Sequence, residues 1–215
     1  MSRPSAWRGR AQFERLSGDA RLTTVASVGA LLLAAGRSRR FGSDKRAAVL
    51  ADGRTLLDSV LNTLARAELP VLICLDPADS HLATRYQDLS PPPVLCDRAR
   101  EGMGGTLAQG AAALPAWDAC VIALADMPWV QVETLRALAG NASLHNICVP
   151  EYGGRRGNPV CFGRDFFVQL RACCGDQGAR KLLAANAEHV RIVPVEDPGI
   201  HADVDTPSAL KDTPA

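Results

Sequence analysis

Ten residues from Gly36 to Lys45 read Gly-Arg-Ser-Arg-Arg-Phe-Gly-Ser-Asp-Lys, a mixture of glycine, hydroxyl and cation suited to a polyphosphate. Glycine lets backbone amides approach phosphate oxygens without a Cβ in the way. Arg37, Arg39, Arg40 and Lys45 would add the positive charge. The plainer reading is a solvated basic turn, and neither a Walker loop nor a Gly-x-Gly-x-x-Gly pattern is present. A second chemical feature is Asp126, the carboxylate that ends the apolar run Cys120 to Ala125. It is either a metal ligand or an ordinary cap for the helix that follows Pro128. With a phosphate loop at the same sheet edge, Mg²⁺ on a nucleotide is the expectation, since that ion takes one or two carboxylates plus the phosphates. A second acid would come from Asp203 or Asp205, at the end of an expected strand at Ile200–Val204. Asp203 is the first choice and Asp205 the reserve. Gly102 to Gly105 with Thr106 form a second glycine-rich loop, able to hydrogen-bond a base or ribose or simply to pack a helix start. Arg155, Arg156 and Arg180, near Asn158 and Gly178, are either a clamp for a second anionic substrate or a solvated flap.

The elements that must position these residues alternate regularly. Val28 to Ala34 has the length and composition of a strand buried on both faces. Thr55 caps a helix over 56–68, where Leu57, Val60, Leu61 and Leu64 recur at helical spacing, and Pro70 stops it. Strands follow at Val71–Leu75, Val94–Cys96, Cys120–Ala125 and Ile147–Pro150, with helices near 80–88, before Pro115 and over 131–139. After a hairpin at 152–157, a strand at 158–162 precedes helices near 165–172 and 179–187, then a strand at 190–195. This pattern predicts an α/β fold: a Rossmann-like three-layer sandwich, its mostly parallel sheet covered by helices on both faces. Ligands in such sheets sit at the carboxyl ends of the strands, where Gly36, Gly102 and Asp126 all fall. Residues 1–27 read as a flexible or lightly docked extension and 28–215 as one domain.

Composition narrows the class. The 215 residues carry a net charge of +1, which offers no general electrostatic case for nucleic acid or membrane binding. Only Lys45, Lys181 and Lys211 are lysines among 24 basic residues, which makes a lysine closing the glycine-rich turn noticeable. Seven cysteines without a Cys-x-x-Cys spacing argue against zinc and for reduced, buried thiols in a cytoplasmic protein.

These motifs resemble the MobA-like nucleotidyltransferases, specifically the molybdenum cofactor cytidylyltransferase branch. The similarity rests on Leu33-Ala34-Ala35-Gly36-x-Ser38-x-Arg40-Phe41-Gly42-x-x-Lys45, Gly102-Met103-x-x-Thr106-Leu107, Asp126-Met127-Pro128, Gly157-Asn158-Pro159-Val160, Gly175-Asp176-x-Gly178-Ala179-Arg180 and Asp203-Val204-Asp205-Thr206-Pro207. It implies nucleotide contacts from Leu33, Ala34, Ala35, Gly36, Ser38, Gly42, Gly102 and Thr106. Arg40, Lys45 and Asp126 would be catalytic, and Asp126 with Asp203 or Asp205 would hold Mg²⁺. Asn158, Asp176, Gly178 and Arg180 would bind the acceptor. The implied reaction moves a nucleotidyl group from a nucleoside triphosphate to molybdopterin and releases pyrophosphate. The family pairs Thr-Ala-Ala-Gly with cytidylyl and Leu-Ala-Gly-Gly with guanylyl transfer; Leu33-Ala34-Ala35-Gly36 stands one position from each. Ala35 and the two late aspartates favour CTP, with GTP as the alternative. A sugar phosphate or similar acceptor, or a non-catalytic cofactor carrier, are the rival readings, and a molybdoenzyme or its chaperone is the expected protein partner.

Overall fold

A computed structural model of the chain describes residues 26–36, 44–176 and 178–211. In chain order they form β1 (Val28–Leu33), α1 (Leu56–Arg66), β2 (Val71–Leu75), α2 (Ser80–Arg85), β3 (Val94–Leu95), α3 (Met103–Ala112), β4 (Ala119–Leu124) and α4 (Val132–Asn141). Then follow β5 (Ile147–Tyr152), β6 (Arg155–Arg156), β7 (Val160–Gly163), α5 (Phe167–Arg171), α6 (Arg180–Ala185) and β8 (Val190–Pro194). The eight strands make one sheet in the order β3-β2-β1-β4-β7-β5-β6, with β8 alongside β5.

β1 and β2 are buried along nearly their whole length because helices cover both faces of the sheet. On one face Leu57, Val60, Leu61 and Leu64 of α1 join Leu135 and Leu138 of α4. On the other, Leu107, Ala108 and Ala111 of α3 pack with Phe167 and Leu170 of α5. Each fully buried leucine contributes about 1.5–3 kcal/mol of transfer free energy, which is why these apolar rows decide the fold. Thr55 starts α1 by accepting the Asp58 N–H at 3.1 Å and donating its own hydroxyl to the Asp58 carboxylate at 2.7 Å.

Pairing is parallel among β3, β2, β1 and β4, as the alternating pattern predicts. Beyond β4 the structure departs from simple alternation. β7 lies between β4 and β5 and runs antiparallel to both, so β5 keeps the direction of β4 without touching it. Two further expectations are corrected. Residues 200–204 form no strand: Pro198–His201 is a 3₁₀ turn and a segment outside the sheet follows. Gly104 and Gly105 are not loop residues but occupy the first turn of α3. No helix among the described residues is long and apolar enough to cross a membrane. All seven cysteines are free, and Cys174 is the exposed one.

Candidate active site

β1 and β4 are neighbours in register, Leu33 opposite Leu124, so their carboxyl ends open on the same edge. A cleft of about 530 Å³ lies there. One wall is Leu33, Ala34, Ala35 and Gly36 with Lys45 and Arg46; the floor is Leu124, Ala125 and Asp126; the other wall is Ala99 to Met103 with Thr106. Asp176 and Asp205 complete it.

Lys45 reaches across from the β1 side. Its ammonium donates to Asp126 Oδ2 at 2.8 Å, to the Val204 carbonyl at 3.2 Å and to Asp205 Oδ1 at 3.4 Å. The Val204 N–H in turn donates to the Asp126 carbonyl at 2.8 Å, and the Val204 side chain is fully buried. That docking carries the extended tail past the tip of β4 and delivers Asp205 to the cleft. Asp203, the acid favoured from the sequence, is exposed and does not line the cleft. The Lys45 ammonium, which holds both the Val204 carbonyl and the Asp205 carboxylate, is what selects the later acid.

The second oxygen of Asp126 is informative. Asp126 Oδ1 is buried and has no hydrogen-bond partner among the described residues. A buried carboxylate oxygen left without a partner costs roughly 1–3 kcal/mol or more, so some group is expected to meet it. Nor is Asp126 a helix cap. The N–H of Gln131, which precedes α4, donates to Asp197 Oδ2 at 2.8 Å, and Thr134 donates to the same oxygen at 2.6 Å. Asp197 therefore does the capping from elsewhere in the chain. Two carboxylates, Asp126 and Asp205, with one orphaned oxygen suit a hard divalent cation that takes its remaining ligands from phosphate and water. The described residues hold no cluster of three or more side chains for an all-protein metal cage.

The opposite wall is made of backbone. Gly102 precedes α3 at φ +104°, a conformation open to glycine, and a side chain there would strike the Asp176 carboxylate. Gly104 donates its N–H to the Gly175 carbonyl at 2.7 Å, and a Cβ on it would sit 2.6 Å from the Cys174 carbonyl. The glycines thus bring the start of α3 into contact with the 174–176 segment. Gly102 has no side chain to cap the helix, and the amino end of α3 carries the positive end of its dipole into the cleft wall.

Sequence reasoning missed Arg46. It is 9% exposed, and its guanidinium pairs with Asp44 at 2.7 Å and Asp79 at 2.6 Å. Burial works against the charged form of Asp44, yet the Arg46 hydrogen bonds and charge hold that carboxyl below its ordinary range. The same partners, working against burial, push Arg46 above its already high value. The available signal was an arginine following the motif lysine, with an aspartate just before it.

Of the expected site residues, the structure brings Leu33, Ala34, Ala35, Gly36, Lys45, Gly102, Thr106, Asp126, Asp176 and Asp205 to one cleft. Asn158, Gly178 and Arg180 do not line it. Asn158 leads into β7 and donates its N–H to the Ile200 carbonyl at 3.0 Å. Gly178 lies against the Met103 side chain, and Arg180 begins α6 exposed. Arg40, Ser38 and Gly42 fall outside the described residues.

A family model for the MobA-like NTP transferase domain matches residues 30–191. Purine catabolism protein PucB of Bacillus subtilis is 28% identical over 82% of this chain and 91% of its own. Nicotine blue oxidoreductase of Paenarthrobacter nicotinovorans is 26% identical over 88% of this chain and 96% of its own. The crystal structure of Rv0371c from Mycobacterium tuberculosis superposes with a TM-score of 0.75 at 28% identity, covering 87% of this chain and 96% of that one. A manganese complex of the same protein matches with a TM-score of 0.72 at 26% identity, over 86% of this chain and 96% of that one.

Proposed function

The chain belongs to the MobA-like NTP transferase family and is a nucleotidyltransferase, and we propose that it transfers CMP from CTP to a molybdopterin-type acceptor, releasing pyrophosphate. The observation that carries the reading is Asp126. One of its oxygens is buried without a partner while the other, like Asp205, is held by Lys45 in the same cleft.

In this reading a phosphate oxygen of the acceptor displaces pyrophosphate from the α-phosphorus in line. Bound Mg²⁺, held by Asp126 and Asp205, would supply Lewis-acid polarisation of the triphosphate. Lys45 then no longer has to neutralise both acids, and its ammonium can take up charge on the departing pyrophosphate. Arg40 has the charge to assist, and the amino end of α3 with Gly102 and Thr106 borders the ribose and base. Asp176 sits at the mouth beside Gly102, and with Asn158, Gly178 and Arg180 forms the proposed acceptor side. An ionised phosphate nucleophile needs no general base, so positioning and electrostatics supply the rate. A carrier that only bound cofactor would gain nothing from a carboxylate that offers one oxygen to a lysine and keeps the other buried without a partner among the described residues.

The direct test is pyrophosphate release over a panel of triphosphates and phosphorylated acceptors, with and without chelator. CTP with molybdopterin should give the highest rate, and chelation followed by Mg²⁺ or Mn²⁺ should abolish and restore it. Turnover with a sugar phosphate but not molybdopterin would change the acceptor. Tight cofactor binding without pyrophosphate would leave only a carrier.

A further inference from the structure

Arg46 lines the cleft, yet its donors are already used. Nη1 donates to the Ala34 carbonyl at 2.7 Å and to Asp79 Oδ2 at 2.6 Å, Nε donates to Asp44 Oδ1 at 2.7 Å, and Nη2 donates to Asp44 Oδ2 at 3.0 Å. Four of the five guanidinium N–H groups are therefore committed within the protein. Such a group is badly placed to grip a substrate phosphate and well placed to join segments. Ala34 directly follows β1 and forms part of the cleft wall, Asp44 directly precedes Lys45, and Asp79 lies in the turn after β2. That turn is itself fixed, because Asp76 accepts the Ala78 N–H at 3.0 Å through its side chain and the Asp79 N–H at 2.8 Å through its carbonyl. Asp44 also accepts the Arg46 N–H at 3.0 Å, so the 3₁₀ turn Lys45–Ala47 is capped by the carboxylate that the guanidinium holds.

We propose that Arg46 is the positioning residue of this cleft: by tying the end of β1, the residue before Lys45 and the turn after β2 to one guanidinium, it aims the Lys45 ammonium at Asp126. Lys45 has a long, rotatable stem, and a backbone that wandered at residues 44–46 would let that ammonium leave its 2.8 Å contact. Fixing the stem at its root is how a point charge is pre-placed, and pre-placement is what makes it useful to a reaction. The kinetic part of the inference rests on the nucleotidyl-transfer reading; the geometric part does not.

The test separates the two. Wild type, Arg46→Met, Arg46→Lys and Asp79→Asn are treated briefly with an amine-acylating reagent. Modification of Lys45 is measured by peptide mass spectrometry relative to exposed Lys181. An ammonium released from Asp126 reacts faster, so the Lys45 to Lys181 ratio should rise by ~3-fold or more in Arg46→Met and by less in the other two. In parallel, KM for the triphosphate should rise ~10-fold or more in Arg46→Met, the scale for losing a group that orients a site residue. In a Lys45→Ala background the same Arg46 change should do almost nothing. A wild-type labelling ratio in a folded Arg46→Met protein overturns the proposal, as does an equal KM penalty with Lys45 already gone. If Arg46→Met fails to fold, Asp79→Asn removes one anchor and is judged by the same two readouts. Absence of pyrophosphate from the wild type would defeat the functional reading and leave the labelling result to decide the role of Arg46.

Discussion

On the β1 side of the cleft, Lys45 and Arg46 meet Asp44, Asp79, Asp126 and Asp205 in a lattice of ion pairs. On the α3 side, the wall is Gly102, Met103 and Thr106, shaped by what is missing. The first wall depends on particular charged groups, so losing one should remove chemistry while much of the packing survives. The second depends on close backbone approach, so adding atoms should damage shape and stability together. Two surfaces of one pocket are thus open to opposite kinds of substitution.

The largest expected effect lies on the charged wall. Asp126→Ala or Lys45→Ala should lower kcat by ~10²-fold or more, the range for removing a pre-placed charge stabiliser. Stopped or coupled pyrophosphate assays would read it, and near-wild-type turnover in either variant would dissolve the contrast. Next comes Asp205→Asn, which should cost ~10-fold or more in kcat/KM, against a change within ~2-fold for Asp203→Asn. Equal losses would mean that the tail does not deliver one chosen acid. On the backbone wall, Gly104→Ala places a methyl against the Cys174 and Gly175 carbonyls. It should lower stability by about 1–3 kcal/mol, visible as a drop in Tm, with KM rising in step. An active variant of unchanged Tm would show that wall to be less tightly fitted than its geometry implies. The smallest effect belongs to Thr106→Ser, which keeps the hydroxyl and loses one buried methyl. About 1 kcal/mol of stability and less than ~3-fold in kcat/KM are expected.

The same contrast governs what the sequence alone makes legible. β1, β2 and β4 announce themselves as continuous apolar runs because helices cover both sides of the sheet. α1 is equally plain from Leu57, Val60, Leu61 and Leu64. Lys45 and Asp126 stood out in the sequence, Lys45 as a rare lysine closing a basic, glycine-containing turn and Asp126 as the charge that ends an apolar run. Ile200 and Val204 misled for a physical reason: both are buried, but by docking against neighbouring loops and Asp126, not by ladder pairing. Alternating burial in an extended tail is indistinguishable from that of a strand. Gly104 and Gly105 misled because glycine usually breaks helices, whereas here the lost side chains allow two backbones to touch. Asp197 was invisible since its partners lie far off in sequence, and of Arg46 only the Asp44 pairing is local. Asp197 is 66 positions from the Gln131 amide that it caps, and Arg46 is 33 from Asp79.

The insertion of β7 has its own consequence. β4 and β5 point the same way but stand two strand spacings apart, roughly 10 Å, and the strand between them starts at this edge where its neighbours end. The chain enters that gap through Asn158 and Pro159, so the rim there is made by an incoming segment and not by an outgoing strand tip. The incoming strand is thereby fastened to the tail, because the Asn158 N–H donates to the Ile200 carbonyl at 3.0 Å just upstream of the segment that carries Asp205.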